Sequence, residues 1–264
     1  MTSDDRDPTS VADPDEPGPR SSHVAARSER KHLPVWQETI LLLGIALVLA
    51  IVIKALFVQA FYIPSESMEP GLVKNDRILV QKVSYWFGGS PQRGDVVVFK
   101  DPGGWLNAEE SAGPTNTAAK LFSKVGLYPS GGHLVKRVIG VEGDVIKCCD
   151  DQGRLMVNGQ PLEEKQYARL GGADCYGPMP AGRSHCSWQV GPVPAGHVFV
   201  MGDNRNNSAD STVHMCLRSD RDCTKNPYVD VSDVVGKVFV LLWPSDHFGF
   251  LHRPATFADV PDPS

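Results

Sequence analysis

Residues 36–57 form an apolar run, and within it residues 40–53 carry no charged side chain. About 20 apolar residues are enough to cross a bilayer as a helix. In hydrocarbon every backbone N–H and C=O must be satisfied within the protein, so a lone run can span only as a helix. Residues 36–58 are therefore expected to be a single transmembrane helix. Lys54 lies near one end, where its stem can sit in lipid and its ammonium among the headgroups. Trp36 and Tyr62 are placed to mark the two interfaces. A cleaved export signal is the alternative, because Val58-Gln59-Ala60 has the small-x-small form of a cleavage site. Two lengths oppose it: more than 30 residues precede the run, and the apolar core is at the upper limit for such a signal.

Residues 1–35 are rich in Asp, Pro, Ser and Arg and nearly devoid of large apolar side chains. Such a segment buries too little surface to offset its chain entropy and is expected to be a disordered tail. Six acids fall within the first 16 residues, whereas Arg20, Arg27, Arg30 and Lys31 lie nearer the run. Basic residues beside a span prefer the cytoplasmic side. The expected topology is single-pass in the plasma membrane, with the N-terminus inside and the rest outside.

Beyond the span, short β-branched and apolar runs alternate with turn residues. Strands are expected at residues 77–83, 96–100, 133–141, 145–147, 155–160, 197–201 and 234–243. The 21 prolines and 25 glycines also favour β-structure with many turns over a helical bundle. The fold expected is mainly β: one N-terminal transmembrane helix, then an antiparallel β-domain with an inserted smaller lobe of β and loop. The β-domain takes residues 59–147 and 196–247, with a loop insert at 101–132. The smaller lobe takes 148–195, and 248–264 form a C-terminal tail, loose from 254 on. Within the loop insert, 118–127 has the apolar spacing of a short amphipathic helix that could rest on lipid or on the domain.

A net charge of −5 argues against a nucleic-acid partner, and no Gly-rich phosphate loop is present, so no cofactor is expected. His185, Cys186, His214, Cys216 and Cys223 match no common zinc spacing, and no metal is expected either.

Two places carry unusual chemistry. The first is Pro64-Ser65-Glu66-Ser67-Met68-Glu69-Pro70, just past the span. Its prolines fix φ and favour an extended, pre-shaped segment, which could hold the Ser67 hydroxyl near the membrane face. An ordinary turn is the plain alternative. The second is Lys136, which period-two alternation puts on one face with Leu134 and Val138. A lysine there is either an edge-strand guard against aggregation or a base. Apolar surroundings penalise an ammonium and favour the neutral amine that a base requires.

Four segments taken together resemble bacterial type I signal peptidases, the membrane-anchored leader peptidases of the serine–lysine class. They are residues 64–70; Arg93-Gly94-Asp95-Val96-Val97-Val98-Phe99; Lys136-Arg137-Val138-Ile139-Gly140-Val141-Glu142-Gly143-Asp144; and the run from Gly202 to Ser211. They occur in the family's order, within residues 36–245. The long inserts and the cysteine content look closest to actinobacterial members. The resemblance implies a serine endopeptidase that removes signal peptides from exported preproteins after Ala-x-Ala sites. It implies Ser67 as nucleophile and Lys136 as general base. Ser65 matches an oxyanion-hole hydroxyl, Ser208 a hydroxyl that orients the lysine, and Asp210 a supporting acid. Ile63, Met68, Leu72 and Val135 match or adjoin substrate-pocket positions. The partners implied are translocated preproteins and the bilayer, with the enzyme acting as a monomer. One departure stands out: Ser211 is followed by Thr212, where the family usually has an arginine paired with the acid. That places the supporting ion pair in doubt.

Other readings of the same residues are a catalytically dead membrane-anchored binding protein and a self-cleaving repressor-type protease. The presence of both Ser67 and Lys136 opposes the first. The second needs a DNA-binding N-terminal domain and no span, the reverse of what this chain carries. All six cysteines lie beyond the span, in an oxidising compartment on the topology above. Local closures are expected, Cys175 with Cys186 and Cys216 with Cys223.

Overall fold

The computed structural model describes residues 34–106, 132–170, 188–216 and 223–263. The N-terminal tail, the 118–127 segment and the expected Cys175–Cys186 closure lie outside these. Helix α1 (Val35–Phe57) covers the apolar run. Its stretch Val35–Ile53 is long and apolar enough to cross a membrane, and its Leu, Ile and Val side chains are exposed. A helix apolar on every side has no polar face to turn to water.

The β-region is built on an eight-stranded antiparallel sheet. Its strands are β1 (Val58–Tyr62), β2 (Arg77–Gln81), β3 (Val96–Lys100), β4 (His133–Gly140), β9 (His197–Met201), β10 (Tyr228–Asp230), β11 (Val234–Trp243) and β12 (Gly249–Phe250). The order is β1-β2-β11-β3-β4-β9-β10, with β12 added to β11. The β-branched run of β3 is buried along residues 96–99 and pairs with β4 so that Val97 lies opposite Lys136. A second sheet has the order β7-β6-β5-β8, from β5 (Ile146–Cys148), β6 (Met156–Val157), β7 (Gln160–Pro161) and β8 (Trp188–Val190). The β6–β7 turn is Asn158-Gly159, both at positive φ, which suits the twist of a two-residue hairpin.

Among the described residues, the smaller sheet shares its core with the larger one. Ile146, Leu155, Val157, Leu162 and Trp188 pack in one cluster with Ile139, Phe199 and Met201 of the larger sheet. Burying a side chain of this size contributes about 1.5–3 kcal/mol, so the two sheets are held together by several such side chains.

The C-terminal segment departs from expectation. Residues 248–264 were expected as a C-terminal tail, loose from 254 on, but β12 pairs with β11, and Phe257 and Val260 are buried in the shared cluster. Arg253 Nε donates to Asp95 at 2.6 Å, and Thr256 Oγ1 accepts the Glu163 N–H at 2.8 Å. Two well-placed apolar residues at the seam are enough to order a stretch whose composition reads as tail.

Cys216 and Cys223 form the expected disulfide. Cys148 and Cys149 are joined to each other, a pairing that the sequence reading did not foresee.

Candidate active site

Ser67 stands in a tight turn between β1 and β2. The Glu69 N–H donates to the Glu66 carbonyl and the Leu72 N–H to the Met68 carbonyl, closing the backbone over short loops. Met68, next in the chain, is buried among Phe61, Ile63, Leu72 and Ile78. With that side chain fixed in the core, the Ser67 hydroxyl has a defined place at the edge, where the residue is 7 % exposed.

Lys136 reaches the same point from β4. It is 4 % exposed, and its Nζ lies 2.7 Å from Ser67 Oγ. Val97 opposite it belongs to the apolar cluster of Leu134 and Val138, the two residues that alternation puts on its face. Residues 69 apart in sequence thus meet at hydrogen-bond distance. Ser65 Oγ is 3.1 Å from Ser67 Oγ.

The third wall is the loop after β9. Asn204 clamps the nucleophile turn twice, its N–H donating to the Ser67 carbonyl and its Nδ2 to the Glu66 carbonyl, both at 3.0 Å. Gly202 lies so close to that turn that a Cβ there would meet Ser208 Oγ at 2.3 Å and the Ser67 carbonyl oxygen at 2.5 Å. Neither Gly202 nor Asn204 was singled out from sequence. A glycine closing a strand ahead of an Asp-Asn pair was the available signal.

Ser208 donates its hydroxyl proton to Asp210 Oδ2 at 2.6 Å, which leaves its oxygen as an acceptor toward the site. Asp210 is fully buried and well supplied with donors: Gly202 N–H at 2.9 Å, Thr212 N–H at 3.0 Å and Thr212 Oγ1 at 2.8 Å. At the position after Ser211, where the resemblance led one to expect an arginine, Thr212 meets the carboxylate with two neutral donors, its N–H and its hydroxyl. The four pocket candidates fall in one apolar group. Ile63, Met68 and Leu72 are buried, and Val135 packs half-buried against them.

Among the described residues no group of three or more His, Cys, Asp or Glu side chains is arranged to hold a metal. Of the residues weighed as ligands, Cys216 and Cys223 are bonded to each other, and His214 is stacked on Trp105 at 4.3 Å. His185 and Cys186 lie outside the described residues.

Residues 36–243 match the family model described as signal peptidase, peptidase S26. A probable signal peptidase I of Mycobacterium leprae is 38% identical over 251 residues, covering 86% of this chain and 82% of its own. The signal peptidase I of Mycobacterium tuberculosis H37Rv is 38% identical over 238 residues, covering 81% and 74%. That of Leptolyngbya laminosa is 33% identical over 259 residues, covering 97% of this chain and all of its own.

Proposed function

The chain belongs to the bacterial type I signal peptidases of the peptidase S26 family, and on that premise we propose that it cleaves by a Ser67–Lys136 dyad at the outer face of the plasma membrane. The distance of 2.7 Å between Lys136 Nζ and Ser67 Oγ carries this reading. A serine hydroxyl is a weak nucleophile until a base within hydrogen-bond reach takes its proton. Neutral Lys136 takes that proton as Ser67 Oγ attacks the scissile carbonyl. The oxyanion is held by the Ser65 hydroxyl and the Ser67 N–H, each such donor contributing roughly 3–4 kcal/mol. The lysine then gives its proton to the leaving amine, and the acyl-enzyme is hydrolysed by a water that the same amine activates.

Substrate choice rests on the apolar group beside Ser67. The buried Ile63, Met68 and Leu72 with half-buried Val135 give that side of the site an apolar character that suits the small side chains of Ala-x-Ala sites, which lie just beyond a signal's apolar segment. Helix α1 is the membrane anchor, with the N-terminus cytoplasmic on the charge pattern of the tail. That puts Ser67, only a few residues beyond β1, close to the bilayer in which the substrate's apolar segment sits. The enzyme acts as a monomer and needs no cofactor or metal for these steps.

Incubating the detergent-solubilised protein with a preprotein carrying an Ala-x-Ala site tests the proposal. Sequencing the product should give a new N-terminus directly after the second alanine. Cleavage elsewhere, or none, would overturn the substrate assignment.

A further inference from the structure

The smaller lobe sends one segment into the far side of the active site. Glu164, in the 3-10 turn Glu164–Gln166, is 3 % exposed, and its Oε1 accepts from Arg205 Nη1 and from the Tyr167 hydroxyl, each at 2.9 Å. The Tyr167 ring faces two guanidinium groups, that of Arg137 at 4.6 Å and that of Arg205 at 6.0 Å. Arg137 follows Lys136 directly, and it grips Asp203 through Nε at 2.8 Å and Nη2 at 2.6 Å.

The backbone of the same segment continues the contact. The Arg169 N–H donates to the Asp203 carbonyl at 2.9 Å, and the Arg205 N–H to the Arg169 carbonyl at 3.1 Å. Ala168 bridges to Pro70, and Arg169 pairs with Glu69 at 2.9 Å. Four residues of the lobe, Glu164, Tyr167, Ala168 and Arg169, therefore touch all three walls of the site: the nucleophile turn, the lysine strand and the loop after β9.

Stability alone does not account for this layer. Well-packed apolar residues of similar volume are commonly as stable as a buried ion cluster or more so. What fixed charges and a ring beside two cations supply is a single geometry, because each guanidinium has one orientation that meets both its carboxylate and the ring. Burial and the neighbouring Glu164 carboxylate push the Tyr167 phenol well above its ordinary value, so it remains a donor.

We propose that Glu164 and Tyr167 are positioning residues for the dyad, holding Arg137 and Arg205 and through them the spacing between Lys136 and Ser67. The smaller lobe is then part of the catalytic apparatus, acting through Arg137 and Arg205 and not on the reacting atoms themselves. The proposal rests on the dyad reading above.

The test uses the full chain in detergent, as wild type, Glu164→Gln, Tyr167→Phe and Tyr167→Leu. Amide hydrogen exchange is followed by mass spectrometry alongside kcat and KM on an Ala-x-Ala preprotein. Tyr167→Leu and Glu164→Gln should speed exchange in residues 66–70 and 202–211 while leaving β3 and β11 unchanged. Their kcat should fall by about 10²-fold with little change in KM, the signature of misplaced reacting groups. Tyr167→Phe keeps the ring beside the guanidinium groups and should recover most of the loss. Unchanged local exchange in Glu164→Gln, or Tyr167→Leu acting like wild type, would overturn the proposal. If Tyr167→Leu does not fold, Glu164→Gln against Tyr167→Phe decides the matter. A wild type that cuts no preprotein would sink the proposed function, and the exchange comparison would still decide this inference.

Discussion

Thr212 donates both its N–H, at 3.0 Å, and its Oγ1, at 2.8 Å, to the same oxygen of Asp210. Asp210 in turn receives Ser208 and Gly202 on its other oxygen, so the threonine sits at the base of the loop that clamps the nucleophile turn.

Removing that hydroxyl leaves a buried carboxylate short of a donor. Thr212→Val should lower stability by roughly 2 kcal/mol, the usual cost for a hydrogen bond to a charged group. Thr212→Ser keeps the donor and should recover most of it. Urea denaturation of the three proteins, read for the midpoint at constant slope, checks this.

A different outcome is expected at Gly202. A methyl there must push against the Ser67 carbonyl oxygen, a backbone atom that cannot swing aside. Gly202→Ala should part the loop from the nucleophile turn and cut kcat by about 10²-fold, since displacement of reacting groups by an ångström has that effect. Steady-state kinetics on a folded variant would show it, and a kcat equal to wild type would rule out the close packing described.

Much of the β-domain was legible from sequence, because β3, β9 and β11 are runs dominated by β-branched or apolar residues, β11 interrupted only by Gly236 and Lys237. The match at β3 (Val96–Lys100) and β9 (His197–Met201) is residue for residue. Other elements left no such mark. β1 follows α1 without a break, so no turn residue marks Val58–Tyr62 off from the span as a separate strand. β8 and β10 have three residues each, too few for a period to show. Ser67 and Lys136 were visible as oddities of local chemistry, a serine between prolines and a lysine on an apolar face. The layer of Glu164, Tyr167 and Arg205 was not, because its contacts cross 41 positions of chain and leave no local pattern. The C-terminal segment was misread for a related reason. Its order comes from Phe257 and Val260 meeting a seam between two sheets, which composition cannot reveal.

Asp101 provides a pH-dependent check on the start of the loop insert. Its carboxylate accepts the N–H groups of Gly103, Trp105 and Leu106. Partial burial alone would raise its pKa, but these backbone donors outweigh burial and hold it below the usual 3.8. A depressed acid stabilises the fold above its unfolded value and loses that contribution as pH falls through the folded one. Asp101→Asn should therefore cost up to about 1 kcal/mol at neutral pH, a modest figure because the group is only partly buried and solvent screens it. The gap between variant and wild type should close below pH 3.8. Denaturation curves across the acid range would show the convergence, and a gap independent of pH would contradict it.

The Cys216–Cys223 bridge closes a short loop, with a sequence separation of 7, just after Asp210. A closure of that length is worth about 2.5 kcal/mol in the chain-entropy account. Cys216→Ser with Cys223→Ser should lower the denaturation midpoint accordingly and slow cleavage without abolishing it. Complete loss of activity in a folded double variant would mean that the bridge does more than brace the loop.

The dyad itself is tested most directly by the cleavage rate of Lys136→Arg against wild type, on one preprotein at one pH. Arginine has the reach but stays protonated, where the mechanism needs a neutral amine, and cannot give up its proton to act as a base. The account predicts a folded protein with no cleavage above background. A loss smaller than about 10²-fold, the lower limit for removing a general base, would contradict it.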